Sequence, residues 1–318
     1  MPELPEVETI ARGLAKRVTG DVVESIWLGQ KKESLKSPAS EIAAALEHSR
    51  ITTVRRMGKH IVFDLDRNGS ERTLLPARSR KPNRKGKNPK SLSHRAAPVV
   101  SSEAAENPRA PQNPAPASAR AQWIVHLGMT GSLRVCEPQT EVAKHTHAIL
   151  RLASGRELRF VDPRRFGRLS VASAGDFDAT GVEPLEVDLA HFTKLFGGRK
   201  TPIKSALLNQ KLLRGVGNIY ADESLFRAGI RPRRRATTIT REQLGKLLAA
   251  IKEVLKEAIA LGGSSISDYV DADGEEGFFQ LQHRVYGREA EPCLVCKVPI
   301  KRVVIAGRSS HYCPKCQK

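Results

Sequence analysis

The sequence predicts an α+β protein: an N-terminal β-sandwich with an N-terminal helix, then a C-terminal helical domain, then a small metal-bound module. Three observations carry this. Short β-branched and apolar runs recur between Gly, Pro and Asp turns from 22 to 161, the spacing of a sandwich or flattened barrel. From about Asp188 the apolar residues recur at helical spacing. Four of the five cysteines lie in the last 26 residues, as Cys293-x2-Cys296-x16-Cys313-x2-Cys316.

The elements follow in order. Pro5 suits a first helical turn, and Glu6 and Glu8 favour its positive end. Val7, Ile10, Ala11, Leu14 and Val18 give that helix one apolar face, and Gly20 stops it. Strands are expected at 22–28, 51–56, 61–65, 122–127, 132–135, 147–152 and 157–161, with a short helix at 40–48. Helices are expected at 191–196, 203–213, 219–228 and 243–261. The last is the clearest: Leu244, Leu247, Leu248, Ile251, Val254, Leu255, Ala258 and Ile259 form one stripe. Thr240 with Gln243 caps it and Gly262-Gly263 ends it. The stripe is core and carries no chemistry. Domains are expected at 1–187, 188–282 and 283–318.

Residues 78–120 break the strand series. These 43 residues hold seven prolines, no Phe, Tyr or Trp, and ten Lys/Arg against two Glu. Such a segment cannot bury enough apolar surface to offset the entropy of ordering it, so it reads as a disordered basic insertion in a hairpin connection. It is either a salt-dependent tether to DNA or a tolerated solvated loop.

Lys and Arg number 53 against 34 Asp and Glu, a net +19, of which +11 lies outside the insertion. That balance points to a polyanion, and nucleic acid is the usual one. No apolar run is long enough to span a bilayer and no secretory signal is visible, so the expected location is the cytoplasm. The clustered cysteines argue for a metal rather than a disulfide framework. Two Cys-x-x-Cys knuckles fit a closed tetrahedral site for one structural Zn2+, held by Cys293, Cys296, Cys313 and Cys316. Cys136 reads as a small buried hydrophobe.

The N-terminal string Met1-Pro2-Glu3-Leu4-Pro5-Glu6-Val7-Glu8-Thr9 carries the most chemistry. If Met1 is trimmed, Pro2 presents a secondary amine on a rigid ring. A free α-amine titrates near about 7.7–8.0, so part of it is unprotonated at neutrality and can attack carbon to give an iminium. Glu3 and Glu6 place a proton donor or acceptor in the same segment. An acidic helix start is the structural alternative.

Lys59 follows a glycine in Arg55-Arg56-Met57-Gly58-Lys59 and can reach over a site. Met129 projects from His126-Leu127-Gly128-Met129-Thr130-Gly131, where a flexible apolar side chain could fill the hole left by a flipped base; a core methionine is the alternative. Asp162-Pro163-Arg164-Arg165-Phe166-Gly167 offers an arginine for an orphaned base and a phenylalanine wedge. The turn at 215–218 opens a helix whose N–H groups can meet a phosphate. The polar loop 264–279 lacks the ligand spacing and closing Glu of a calcium loop.

Together these motifs resemble the formamidopyrimidine-DNA glycosylases, bacterial enzymes that excise oxidised purines. The resemblance runs the length of the chain except 78–120, where the family has a short turn. It implies a helix–two-turn–helix unit, a zinc finger, and damaged double-stranded DNA bound by a monomer. It implies that Pro2 attacks the deoxyribose, that Glu3 supplies acid catalysis with Glu6 beside it, and that Lys59 donates a proton during β-elimination. Arg308 would contact phosphate by the lesion and serve δ-elimination. Met129, Arg164 and Phe166 would fill the duplex, while His145, Arg165, Lys200 and Asn218 would hold phosphates. Lys204 falls where the family has a residue near the lesion base, and loop 264–279 would cap that base. Two other readings stay open: the endonuclease VIII branch, which prefers oxidised pyrimidines, and a zinc-finger DNA binder without catalysis.

Overall fold

A computed structural model describes residues 1–29, 32–67, 120–265, 272 and 274–318. The expected insertion at 78–120 lies outside these except for Arg120, as does most of 266–273.

Helix α1 (Leu4–Val18) starts one residue before Pro5. Its N-terminal turn is closed by Glu6, whose Oε2 accepts the Glu3 N–H at 2.8 Å. Val7, Ile10, Ala11, Leu14 and Val18 are all buried, as the stripe requires. Each such Val, Leu or Ile contributes about 1.5–3 kcal/mol on full burial, more than propensity supplies per residue.

The β-rich part is two four-stranded antiparallel sheets. One runs β1 (Val23–Leu28), β6 (Thr146–Leu152), β7 (Glu157–Val161), β5 (Ser132–Cys136). The other runs β2 (Arg50–Met57), β3 (His60–Asp66), β4 (Arg120–His126), β8 (Arg168–Ser173). Helix α2 (Ala39–Leu46) packs against β1 and β4. Ile51, Phe63, Trp123, Leu150 and Phe160 are among the residues filling the core between the sheets and α1. Strand β8 adds to the expected set: it pairs with β4 from Ala121–Ser173 to His126–Arg168 and buries Leu169 in the core. The β3–β4 ladder runs from His60–His126 to Asp66–Arg120, so the long connection leaves and re-enters at adjacent positions. Cys136 is half-buried at the end of β5 rather than buried.

A second core holds α3 (Leu189–Phe196), α4 (Ile203–Leu207), α5 (Asn218–Arg227) and α6 (Arg241–Ala260), with Leu4 of α1 among its members. The Thr240–Gln243 capping box forms at 3.2 and 3.1 Å. The helix expected at 203–213 stops at Leu207. Side chains take over the backbone there: Gln210 accepts the Gly215 N–H at 2.9 Å and donates to the Leu208 and Val216 carbonyls at 3.0 and 2.8 Å. Asn209 accepts the Lys211 N–H at 3.0 Å. Such local bonds compete directly with a helical ladder. The result is α4, two turns, then α5.

The C-terminal hairpin, β9 (Lys301–Ile305) with β10 (Arg308–Tyr312), sits over a third, small core of Phe226, Val285, Cys293, Ile300 and Cys313. The Glu223 carboxylate, fully buried in α5, accepts the N–H groups of Arg284, Val285 and Tyr286 at 2.8–3.0 Å.

A candidate active site at the N-terminal segment

Seven of the residues singled out in the sequence line one cleft of about 670 Å³: Pro2, Glu3, Glu6, Lys59, Met129, Asn218 and Arg308. They come from the segment leading into α1 and its first turn, the β2–β3 turn, the 128–131 loop, the start of α5 and the first residue of β10, so the cleft exists only in the folded chain.

Glu3 is buried and receives the Ile219 and Tyr220 N–H groups at 3.2 and 3.5 Å, at the N-terminus of α5. The approach demands glycine: a Cβ at Gly217 would stand 2.2 Å from Glu3 Cδ. Burial raises the Glu3 carboxyl above its ordinary value, although Lys59 and the two N–H groups oppose it. Glu6 is also buried. Its Oε1 accepts from Ser264 N–H at 2.8 Å and from the Tyr220 hydroxyl. Burial first, and the Glu3 charge second, push Glu6 up to about 7. Lys59 is nearly closed off, and desolvation lowers it despite Glu3 and Glu6 nearby; Arg308 lowers it further. Carboxyls raised and an amine lowered from their ordinary values bring both kinds of group closer to the range where proton transfer near pH 7 runs.

Glu8 does not join this cluster. It pairs with Arg12 and with Arg56, both at 2.7 Å, and Arg56 forks onto Glu183 at 3.0 and 2.9 Å. That network ties α1 to β2 and to the segment leading into the helices.

Lys204 lies deeper than the other basic residues singled out in the sequence. Its side chain is fully buried, with Nζ 2.7 Å from Asp222 Oδ1 and donating to the Ser309 carbonyl at 2.7 Å. It ties β10 to α5, its buried ammonium held by the Asp222 carboxylate. Asp222 also receives the His311 N–H at 2.9 Å. Asn218 donates to Ser309 Oγ at 3.4 Å, beside Arg308. Sequence reasoning gave no role to Tyr220, Asp222, Glu223, Gln210 or Tyr286. Two adjacent acids in an otherwise basic chain were the available signal.

Outside the cleft, Arg164, Arg165, Phe166 and Lys200 are exposed and His145 half-buried. The Arg164 guanidinium lies 5.1 Å over the Phe166 ring, and Arg165 Nη1 is 3.9 Å from Glu33.

Comparison with known proteins accords with this arrangement. Family models for the formamidopyrimidine-DNA glycosylase N-terminal domain, for its H2TH domain, and for a zinc finger found in FPG and IleRS match residues 1–169, 180–270 and 290–318. The chain belongs to the formamidopyrimidine-DNA glycosylase family. A curated relative of that name from Solibacter usitatus is 40% identical over 320 residues, with both chains covered in full. The crystal structure of MutM (Fpg) from Thermus thermophilus is similar at TM-score 0.74 and 36% identity, covering 99% of this chain and 98% of that one. A Lactococcus lactis FPG mutant bound to Fapy-dG-containing DNA is similar at TM-score 0.77 and 27% identity, with both chains covered in full. As a family member the protein is a DNA glycosylase of base-excision repair of oxidised bases.

The zinc finger fits its metal. The Cys293 and Cys316 Sγ atoms are 3.9 Å apart, Cys296 and Cys313 are 3.4 Å apart, and all four Sγ atoms lie within 4.8 Å of one another. Tetrahedral Zn–S bonds of about 2.3 Å place sulfurs roughly 3.8 Å apart. Four thiolates leave no ligand position for water, so this zinc is structural. Among the described residues no helix is long and apolar enough to cross a membrane.

The Glu6 environment has a measurable consequence. Its carboxyl sits at about 7 in the folded chain against 4.5 for the ordinary value. A raised carboxyl favours the folded state fully below the ordinary value, and that contribution is lost as pH rises through about 7. The expected loss is about 3 kcal/mol. Urea unfolding of wild type and Glu6→Gln across pH 4.5–8 checks it: the wild-type midpoint should fall relative to the variant's as pH rises. Parallel curves would show that Glu6 is not the group responsible.

Proposed function

We propose that this enzyme removes 8-oxoguanine and ring-opened formamidopyrimidines from duplex DNA and then nicks the strand. Once Met1 is removed, the Pro2 nitrogen attacks C1′ of the damaged nucleotide. The N–C1′ bond forms, the glycosidic bond breaks, and the base leaves with its electron pair. Glu3 supplies the proton for this departure. The sugar ring then opens as its C1′–O4′ bond breaks, leaving an iminium on Pro2; loss of a C2′ proton expels the 3′ phosphate in β-elimination, with Lys59 as proton donor, and δ-elimination beside Arg308 expels the 5′ phosphate, leaving a one-nucleotide gap. What carries the reading is the convergence of Pro2, Glu3, Lys59 and Arg308 on one cleft, with Glu3 buried at the N-terminus of a helix.

Around that centre, Asn218 at the start of α5, with His145, Arg165 and Lys200, would hold phosphates. Met129, Arg164 and Phe166 would occupy the gap left by the everted nucleotide, the arginine addressing the opposite base. Lys204 would stand near the lesion base, its ammonium held by Asp222 and the Ser309 carbonyl. Residues 1–187, 188–282 and 283–318 would act as sandwich, helix–two-turn–helix and finger. The bacterial cytoplasm, where chromosomal DNA lies, would be the place of action.

Borohydride trapping on a panel of duplexes tests this. Covalent adducts are expected with abasic DNA and with 8-oxoguanine and formamidopyrimidine duplexes, and weaker ones with oxidised pyrimidines. No adduct on abasic DNA would mean a binder without catalysis. Preferential trapping on oxidised pyrimidines would assign the pyrimidine-lesion branch instead.

A further inference from the structure

Met129 and Phe166 stand out from the surface, 38% and 48% exposed, on two loops far apart in sequence. Between the loops lies Asp162, at the end of β7 and 0% exposed. Its Oδ1 accepts the Thr130 hydroxyl at 2.6 Å, and its Oδ2 accepts the Gly167 N–H at 2.7 Å. Thr130 Oγ1 in turn accepts the Arg164 N–H at 3.3 Å. One carboxylate therefore holds the residue after Met129, the residue after Phe166 and, through Thr130, the backbone of Arg164. Its own backbone reaches a third segment: Asp162 N–H donates to the His145 carbonyl at 2.9 Å, and the His147 ring lies 2.9 Å from its carbonyl.

The two loops touch at backbone distance. A Cβ at Gly128, where φ is +67°, would stand 2.5 Å from Gly167 N and Phe166 C. Arg165, between Arg164 and Phe166, adopts φ +59°, a left-handed conformation uncommon for a non-glycine residue. Among the described residues no cation pairs with Asp162; its partners are a hydroxyl and a peptide N–H. A carboxylate buried on neutral donors alone is an expensive way to fill a core, and an apolar side chain would serve packing better. What an apolar residue cannot do is fix two loops in register through two oxygens of one rigid group.

We infer that Asp162 is a positioning residue that sets the spacing of Met129, Arg164 and Phe166, and thereby both insertion into the duplex and discrimination of the base opposite the lesion. This rests on the reading of those three residues as the duplex-filling group. Asp162 does not line the cleft. Its effect should therefore appear only where there is a base stack to enter.

The test compares two substrates under single-turnover conditions: an 8-oxoguanine duplex paired with C or with A, and a single-stranded oligonucleotide with a preformed abasic site. In Asp162→Ala and Thr130→Val, duplex excision opposite C is expected to fall by about tenfold or more, since small misplacements of positioned groups carry such costs. The C-to-A ratio should move toward one, while cleavage of the single strand stays within about twofold of wild type. Thr130→Ser, which keeps the hydroxyl, should behave as wild type. Equal losses on both substrates in Thr130→Val would reduce the network to a folding role and overturn the inference, as would unchanged duplex excision and discrimination. Met129→Ala and Phe166→Ala separate the underlying reading: if they leave duplex excision intact, the duplex-filling assignment itself fails. Thr130→Val is isosteric and keeps the test decisive if Asp162→Ala does not fold.

Discussion

Replacing Pro2 with glycine is expected to lower the yield of borohydride-trapped adduct on abasic DNA by roughly a hundredfold, and a peptide extension fused ahead of Pro2 to abolish it. The two changes probe different properties. Glycine keeps a terminal amine, so an imine can still form, but the ring that fixes the nitrogen's direction is gone and the chain gains freedom that must be lost again. The extension leaves the ring and destroys the nucleophile, because an amide nitrogen gives its electron pair to the carbonyl. Glu3 and Glu6 are anchored by α5, Tyr220 and Ser264, not by the terminus, so both variants should fold and bind duplex. Mass spectrometry of the adduct gives the decisive reading. Adduct at wild-type yield from the extended protein, or linkage mapped to Lys59, would remove Pro2 from the centre of the mechanism.

The residues of this cleft could be read because their motifs are local. The N-terminal string, the lysine after Gly58, Met129 and the turn into α5 each announce themselves within a dozen residues, and the cleft gathers them. The sandwich was legible for the same reason: strand alternation is a property of neighbours. Strand β8 was missed although RLSVAS alternates as well, with Leu169 buried; its pairing with β4 completes the sheet.

Long-range polar partners were illegible in principle. Sequence shows that Arg56 needs an acid but not that Glu183, far along the chain, provides two oxygens. Lys204 is the sharpest case. The family resemblance placed it near the lesion base, and only the fold adds Asp222 opposite it. The truncation of α4 at Leu207 is intermediate: Gln210 was visible, but its choice of the Gly215 N–H depends on a turn that forms only when α5 is in place. The task of Asp162 is not legible within its 162–167 motif, since its two oxygens serve loops that sequence cannot bring together.

Removing zinc is expected to abolish specific DNA binding while leaving the sandwich folded. The finger's small core is Val285, Cys293, Ile300 and Cys313, two of them metal ligands, packed on Phe226 of α5. So small a cluster cannot order residues 283–318, whereas a structural zinc site contributes about 10–16 kcal/mol. The damage should not stay local. The Lys204 ammonium would lose the Ser309 carbonyl, Asp222 the His311 N–H, and Asn218 its Ser309 partner, all at the start of α5 where Glu3 is held. Arg231 would lose the Pro314 and Gln317 carbonyls. Arg308 would no longer be presented to the cleft. Fluorescence anisotropy with a lesion-containing duplex should show affinity weakened at least a hundredfold in chelator-treated, metal-verified protein, or in Cys313→Ser, with recovery on zinc return for the former. Far-UV circular dichroism should change little, because the two four-stranded sheets and α6 draw on other cores. Undiminished affinity in metal-free protein would mean that the β9–β10 turn is held by its hydrogen bonds to α5 alone, and that the finger is dispensable for recognition.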